Sequence, residues 1–374
     1  MRSERWFPLR TVGVEEELLL VDPRTGEPRA LSTAVLAIAA KESRGRGHAF
    51  TKELQGQQLE FATHPRSGMR ELAAEIERWR AVAARHAGEA GAAVVALATS
   101  PLPAGPALTE GKRYRWIQEQ FGLTALEQLT CGCHVHVSVE SDEEGVGVLD
   151  RIRPWLSVLL ALSTNSPFWQ GHDSGYNSYR SRVWGRWPSA GPVEVFGSAR
   201  RYHQQVRDLL DTGVLHDEGM IYFDARLSRK YPTVEVRAAD VCLDASTTAL
   251  LATLTRGLVD TAAREWREGE PVARHGVGLL RAAAWQAGRS GVDDVLIHPL
   301  TMRPAPADHV VYALLGHIEK ALDENGDLEF ARQGLAELLR DGNGARVQRR
   351  LLHRTGSLRE VVAACVRRTQ EGPH

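Results

Sequence analysis

Carboxylates recur in this chain where a buried strand should be aliphatic. In "VGVEEELLLVD", residues 12–22, Glu15, Glu16 and Glu17 interrupt a run of Val and Leu. In "ELQGQQLEFAT", Glu53 and Glu60 stand seven apart, with Glu60 between Leu59 and Phe61. "HVHVSV" alternates His134, His136 and Ser138 with Val135, Val137 and Val139. "TVEVRAAD" alternates Glu235 and Arg237 with Val234 and Val236. Successive side chains of a strand point to opposite faces, so Glu15 and Glu17 share one face and Glu16 takes the other. A solvated sheet face predicts Lys, Thr, Ser and Gln at the polar positions. Here they are almost all Glu and His, with one Arg. Burying unpaired carboxylates is costly, and five on faces that line one cavity would need cations. Oxygen ligands with an occasional imidazole suit hard divalent ions, Mg²⁺ or Mn²⁺, and a set this rich could hold more than one.

Each piece alone has a plainer reading. Glu15 and Glu17 fit an exposed edge strand, Glu53 a solvated loop, and Glu235 with Arg237 a cross-strand ion pair. The combination carries the weight. Familiar alternatives are missing: "GPALTEGKR" departs from the phosphate-loop spacing, the Gly-Arg-Gly at 45–47 has no third Gly at dinucleotide spacing, and neither H-E-x-x-H nor G-x-S-x-G occurs.

The elements that must position these residues read as α+β. "TVGVEEELLLV", "QQLEFAT", "AAVVALAT", "CGCHVHVSVES", "GMIYFDARLS" and "PTVEVRAADVCLD" predict strands. Helices are expected from Ser67 as an N-cap, over "KRYRWIQEQF" up to Gly122, from about 147 to 165, and near 198–212. "NSPFWQGHDSGYNSYRSRVWGRWPSAG" predicts a long loop, and long loops inside domains are often functional. From Asp244 onward the pattern is nearly all helical. No linker separates that part, so one catalytic domain over 1–374 is expected, with a helical subdomain over about 244–374 packed on a mostly antiparallel sheet.

The 374 residues carry a formal net charge of -1, which gives no hint of nucleic acid or an anionic membrane as partner. "PWLSVLLALS" is too short to span a bilayer. Cys131, Cys133, Cys242 and Cys365 lack the paired spacing of a zinc site and read as reduced thiols, so a cytoplasmic protein is expected.

The motifs "TVGVEEELLLVDPRTG", "ELQGQQLEFAT", "CGCHVHVSV", "GYNSYRSRVW" and "RLSRKYPTVEVRAAD" together resemble the carboxylate–amine ligase family that includes the bacterial type 2 glutamate–cysteine ligases. The resemblance covers most of the first 250 residues, and each motif alone is weak. It implies a glutamine-synthetase-like sheet, curved into a half-barrel, with flanking helices and the active site on the concave face. It implies ATP with two or three Mg²⁺ ions, and metal ligands at Glu15, Glu17, Glu53, Glu60, His134 and Glu235. Arg237 would then face the transferring phosphoryl group, beside Glu235. The reaction implied is amide formation between a glutamate-like carboxylate and an amino-acid amine through an acyl phosphate, with glutamate and cysteine as one candidate pair. Arg180, Arg182, Arg226 and Arg229 are candidates for binding ATP or substrate anions, His136 for orienting a ligand, and Tyr176 and Trp184 for flanking the substrate. The chain departs from the family's usual pattern in two places: Leu227 follows Arg226 where Pro is common, and Cys131 and Cys133 precede the His strand. A metal-dependent hydrolase or phosphotransferase using the same carboxylates is the competing activity, and a metal or nucleotide binder without catalysis is the third reading. The substrates and a homo-oligomer stay open.

Overall fold

The computed structural model describes residues 9–43 and 50–371. The Gly-Arg-Gly at 45–47 lies outside them. Among the described residues seven strands build the main sheet: β1 (Val12–Val21), β2 (Phe50–Lys52), β3 (Gln58–Ala62), β4 (Ala93–Val95), β5 (Gly132–Ser138), β6 (Ala225–Leu227) and β7 (Thr233–Asp240). Their order is β2-β3-β1-β5-β7-β6, with β4 beside the C-terminal end of β1. Every pairing is antiparallel, and the sheet stays open, which gives the expected α+β class.

The register gathers the polar faces. Glu17 lies opposite Glu60, Glu15 opposite His134, and His136 opposite Glu235. The β5–β7 register shifts between Cys133 and Val135, so Arg237 and Ala238 together face His134. Strict alternation would send Asp240, an odd number of residues from Glu235, to the opposite face. The extra residue turns it back, and Asp240 pairs with Gly132 on the His134 side.

The other face is apolar and covered by helices. Val12, Val14, Leu18 and Leu20 of β1 and Cys133, Val135 and Val137 of β5 are buried. The Ala245–Arg267 helix crosses behind β1 and β5. The Met69–Glu89, Asp142–Ile152, Ala307–Asn325 and Leu328–Asp341 helices pack around it. Among the described residues no helix is long and apolar enough to cross a membrane.

Local outcomes differ from expectation in a few places. Gly68, not Ser67, precedes the Met69–Glu89 helix and makes no side-chain cap. The helix expected near 147 starts at Asp142, because the Ser141 hydroxyl accepts from the Glu144 amide; Pro154 then falls in a one-turn 3₁₀ segment before the chain resumes as Leu156–Ser163. The long loop holds a short hairpin, Phe168–Trp169 with His172–Asp173, and a helix over Arg180–Trp184. "GMIYFDARLS" supplies only the three residues of β6.

Glu16 is the one carboxylate of β1 on the helix side, and it is fully buried. Arg80 from the Met69–Glu89 helix meets it bidentately, at 2.8 and 2.7 Å, and Thr248 donates to it at 2.5 Å. The remaining Arg80 donors reach the carbonyls of Cys242 and Leu243 at 2.7 Å. One guanidinium thus ties the first strand, a helix and the exit of β7 together. Removing one partner of such a pair leaves a buried uncompensated charge. Arg80→Met is therefore expected to lower the unfolding free energy by about 3–5 kcal/mol, read by urea denaturation.

Candidate active site

The sheet face that carries Glu15, Glu17, Glu60, His134, His136, Glu235 and Arg237 floors a cavity of about 720 Å³. Glu53 enters it from the turn between β2 and β3, and Arg226 from β6. Glu15, His136 and Glu235 each offer a ligand atom within 4.8 Å of the others, and so do Glu17, Glu53 and Glu60. These are two adjacent triads, one with an imidazole and one of carboxylates alone.

His134 lies beside both. Its Nδ1 is 3.3 Å from Glu15 Oε2, and its Nε2 is 4.0 Å from Glu17 Oε1. His136 Nδ1 contacts Thr233 Oγ1 at 2.9 Å, and its Nε2 is 3.4 Å from Glu15 Oε1. The Nε2 atoms of both histidines are buried without a hydrogen-bond partner. Buried polar atoms are normally satisfied, so two orphaned ring nitrogens beside clustered carboxylates fit a divalent cation as the missing partner. With Thr233 accepting from Nδ1–H, His136 Nε2 keeps its lone pair for that cation.

The two triads differ in charge. Burial pushes the Glu15 carboxyl up, but the adjacent His134 and His136 rings outweigh it and hold it well below the usual range. Glu235 is likewise lowered: burial opposes, while Arg237 and Arg226 prevail. Glu60 goes the other way. Burial raises it far above the usual value, and Glu53, Glu15 and Glu17 add to this. Glu17 is raised by burial and by Glu53, against the pull of His134 and Arg180. His134 is lowered by burial and by Arg237, against Glu15 and Glu17.

The arginines divide into three settings. Arg226 grips Glu235 bidentately at 2.8 and 3.1 Å, and Arg237 donates to the same carboxylate. Arg229 lies exposed in the β6–β7 turn and lines the cavity. Arg180 and Arg182 do not line it. Arg180 is buried, 3.8 Å from Asp240, whose carboxylate also takes the Ser166 and Ser178 hydroxyls. Arg182 bonds the Ser181 hydroxyl, and burial lowers its pKa. Trp184 lines the cavity; Tyr176 does not, and packs against Trp285 instead.

His136 has more of a ligand's position than an orienter's, and the i, i+2 spacing with His134 already carried that signal. Thr233, Asp240 and Arg80 had no sequence signal: a threonine at a strand start, an aspartate on the wrong parity and an arginine on a helix look ordinary. Cys131 and Cys133 are buried free thiols, pushed far up by burial, and neither lines the cavity.

Gly132 holds the floor together. Its amide donates to Glu17 Oε2 at 2.6 Å, and a Cβ there would stand 2.3 Å from Arg180 Nη2. The guanidinium therefore lies on bare backbone. Gly132→Ala is expected to destabilise the protein by about 1–3 kcal/mol, as overpacking does, measured by thermal unfolding.

Comparisons with known proteins place this geometry in a family. The profile described as "Glutamate-cysteine ligase family 2(GCS2)" matches residues 11–364. A relative from Streptomyces avermitilis, provisionally named glutamate–cysteine ligase 2-1, is 65% identical over 362 residues, covering 97% of this chain and 100% of its own. A Streptomyces coelicolor relative, provisionally named glutamate–cysteine ligase 2, is 66% identical, covering 97% and 99%. In fold, the chain is similar to the glutamate–cysteine ligase of Francisella tularensis, solved with AMP, at a TM-score of 0.72 and 13% identity, covering 97% of this chain and 88% of that one. It is similar too to a bifunctional glutathione synthetase from Pasteurella multocida, at a TM-score of 0.72 and 15% identity, covering 96% and 52%. The chain belongs to glutamate–cysteine ligase family 2 and, with it, to the ATP-dependent carbon–nitrogen ligases.

Proposed function

We propose that the chain joins a glutamate-like carboxylate to an amino-acid amine through an acyl phosphate, with glutamate and cysteine as the pair the relatives' names point to. The observation that carries this reading is the pair of ligand triads side by side on one cavity floor, with Arg226 and Arg237 meeting on Glu235. The whole chain acts as one cytoplasmic catalytic unit, with residues 244–374 as the helical subdomain at the back of the sheet.

A carboxylate does not react with an amine at neutral pH because its oxygen is a poor leaving group. Attack of a carboxylate oxygen on the γ-phosphorus of ATP forms the acyl phosphate and releases ADP. The amine nitrogen then attacks the acyl carbon, inorganic phosphate leaves, and the nitrogen loses its proton. Bound at Glu15, His136 and Glu235 and at Glu17, Glu53 and Glu60, with His134 between them, magnesium ions would neutralise the phosphates and align the γ-phosphoryl group. Arg237 faces the charge that develops on the transferring group. Its bond to Glu235 anchors one end of the guanidinium before substrate arrives. Arg226 holds Glu235 from the other side and keeps that carboxylate ionised. Arg229, exposed in its turn, meets an anionic end of ATP or substrate. Arg180, on the same face beside Gly132, adds positive charge near Glu17.

The reading is tested by ADP release from purified protein with Mg·ATP against a matrix of carboxylates and amines, with products read by mass. A product one water lighter than the sum of the pair, formed only when both are present, is the expected result. ADP formation without an amine would instead make the protein a phosphotransferase or hydrolase. Glu60→Gln is expected to abolish turnover while the unfolding temperature holds. Thr233→Val is expected to weaken Mn²⁺ binding about tenfold or more, read by electron paramagnetic resonance, with Thr233→Ser near the parent.

A further inference from the structure

Trp184 stands where two arginines meet. Its half-buried ring lines the cavity from the end of the short Arg180–Trp184 helix. The Arg237 guanidinium carbon lies 5.8 Å from the ring centroid, and that of Arg180 lies 5.5 Å away. Both distances fall within the range of cation–π attraction. Tyr222 packs on the same indole at 4.8 Å, tilted by 58°, and also meets Trp187 at 5.5 Å. The indole is therefore held by its own neighbours, not by the arginines alone.

Arg237 needs such a support. One of its terminal nitrogens is tied to Glu235, but its Nε is buried with no hydrogen-bond partner. A guanidinium anchored at one end can swing about that anchor. The sheet beneath offers no second acceptor on the Nε side. The indole is a surface that limits the swing.

We propose that Trp184 is a positioning residue for Arg237: its ring fixes the plane in which the guanidinium meets the transferring phosphoryl group. The inference rests on the role given to Arg237 above. A group that is free to rotate spends less time in the productive geometry, and the loss falls on the chemical step more than on substrate binding. Lysine in place of arginine keeps the charge but has no planar face to lay on the ring.

The test is a double-mutant cycle on the steady-state rate with ATP and the substrate pair, using W184L, W184F, R237K and W184L/R237K. W184L is expected to lower kcat about tenfold with KM values within about twofold, which is the size of one cation–π contact. W184F keeps a π face and recovers most of the loss. In the R237K background W184L costs little further, because the contact is already gone. A purely structural role for Trp184 would lower the unfolding temperature and give additive losses, and that outcome overturns the inference. So does a W184L enzyme with the parental kcat, or one whose loss lies in KM alone, which would make the indole a substrate wall. R237K at the parental rate would remove the role assigned to Arg237 itself, and with it this inference. Slow R237K with additive losses leaves that role standing and defeats only the part given to Trp184.

Discussion

Mutual repulsion among the carboxylates of one sheet face is the constraint on which the structure turns. Glu15, Glu17, Glu53, Glu60 and Glu235 share a cavity floor, and at neutral pH their charges cannot all stand there unopposed. The fold answers with fixed cations of its own. Arg226 and Arg237 meet on Glu235, and the charge of Arg180 pulls on Glu17. Where protein cations do not reach, at Glu60, burial and the neighbouring acids push the carboxyl upward.

That division gives the two triads different characters. Glu15, His136 and Glu235 are already organised as an anionic set, because histidine and arginine neighbours outweigh the cost of burial. In the second triad burial and the neighbouring acids raise Glu60 and, against the pull of His134 and Arg180, Glu17, so a cation bound there would compete with protons on those two carboxyls. For the phosphoryl transfer proposed above, such a floor would offer preset charges that need no rearrangement beside carboxyls able to exchange a proton for a cation.

The back of the sheet matters as much. Glu16 would be ruinous in its apolar layer without Arg80, and that pair links β1 to a helix and to the segment after β7. The register shift between β5 and β7 has a similar effect at the other end. It returns Asp240 to the front face, where it anchors Arg180 and the two serines that hold the long loop. The floor is therefore positioned from three directions: strand pairing, a buried ion pair behind, and a loop tied down beside it.

Alternation within single strands was enough to mark Glu15, Glu17, Glu60, His134, His136, Glu235 and Arg237 as one chemical face. Period-two patterning is a local property, and a polar face made of Glu and His is a local anomaly. The helical C-terminal part and most helices were legible for the same reason. What the sequence could not contain were relations between distant residues. The partner of Glu16 lies 64 residues away, and the grouping into two triads depends on register across four strands. Asp240 changed faces because two strands slipped by one residue against each other. Arg180 left the cavity because Gly132, 48 positions earlier, offers it bare backbone to lie on. The residue types fixed which chemistry was available; only the packing of strands and helices decided which groups meet, because burial, register and ion pairing are properties of neighbours in space.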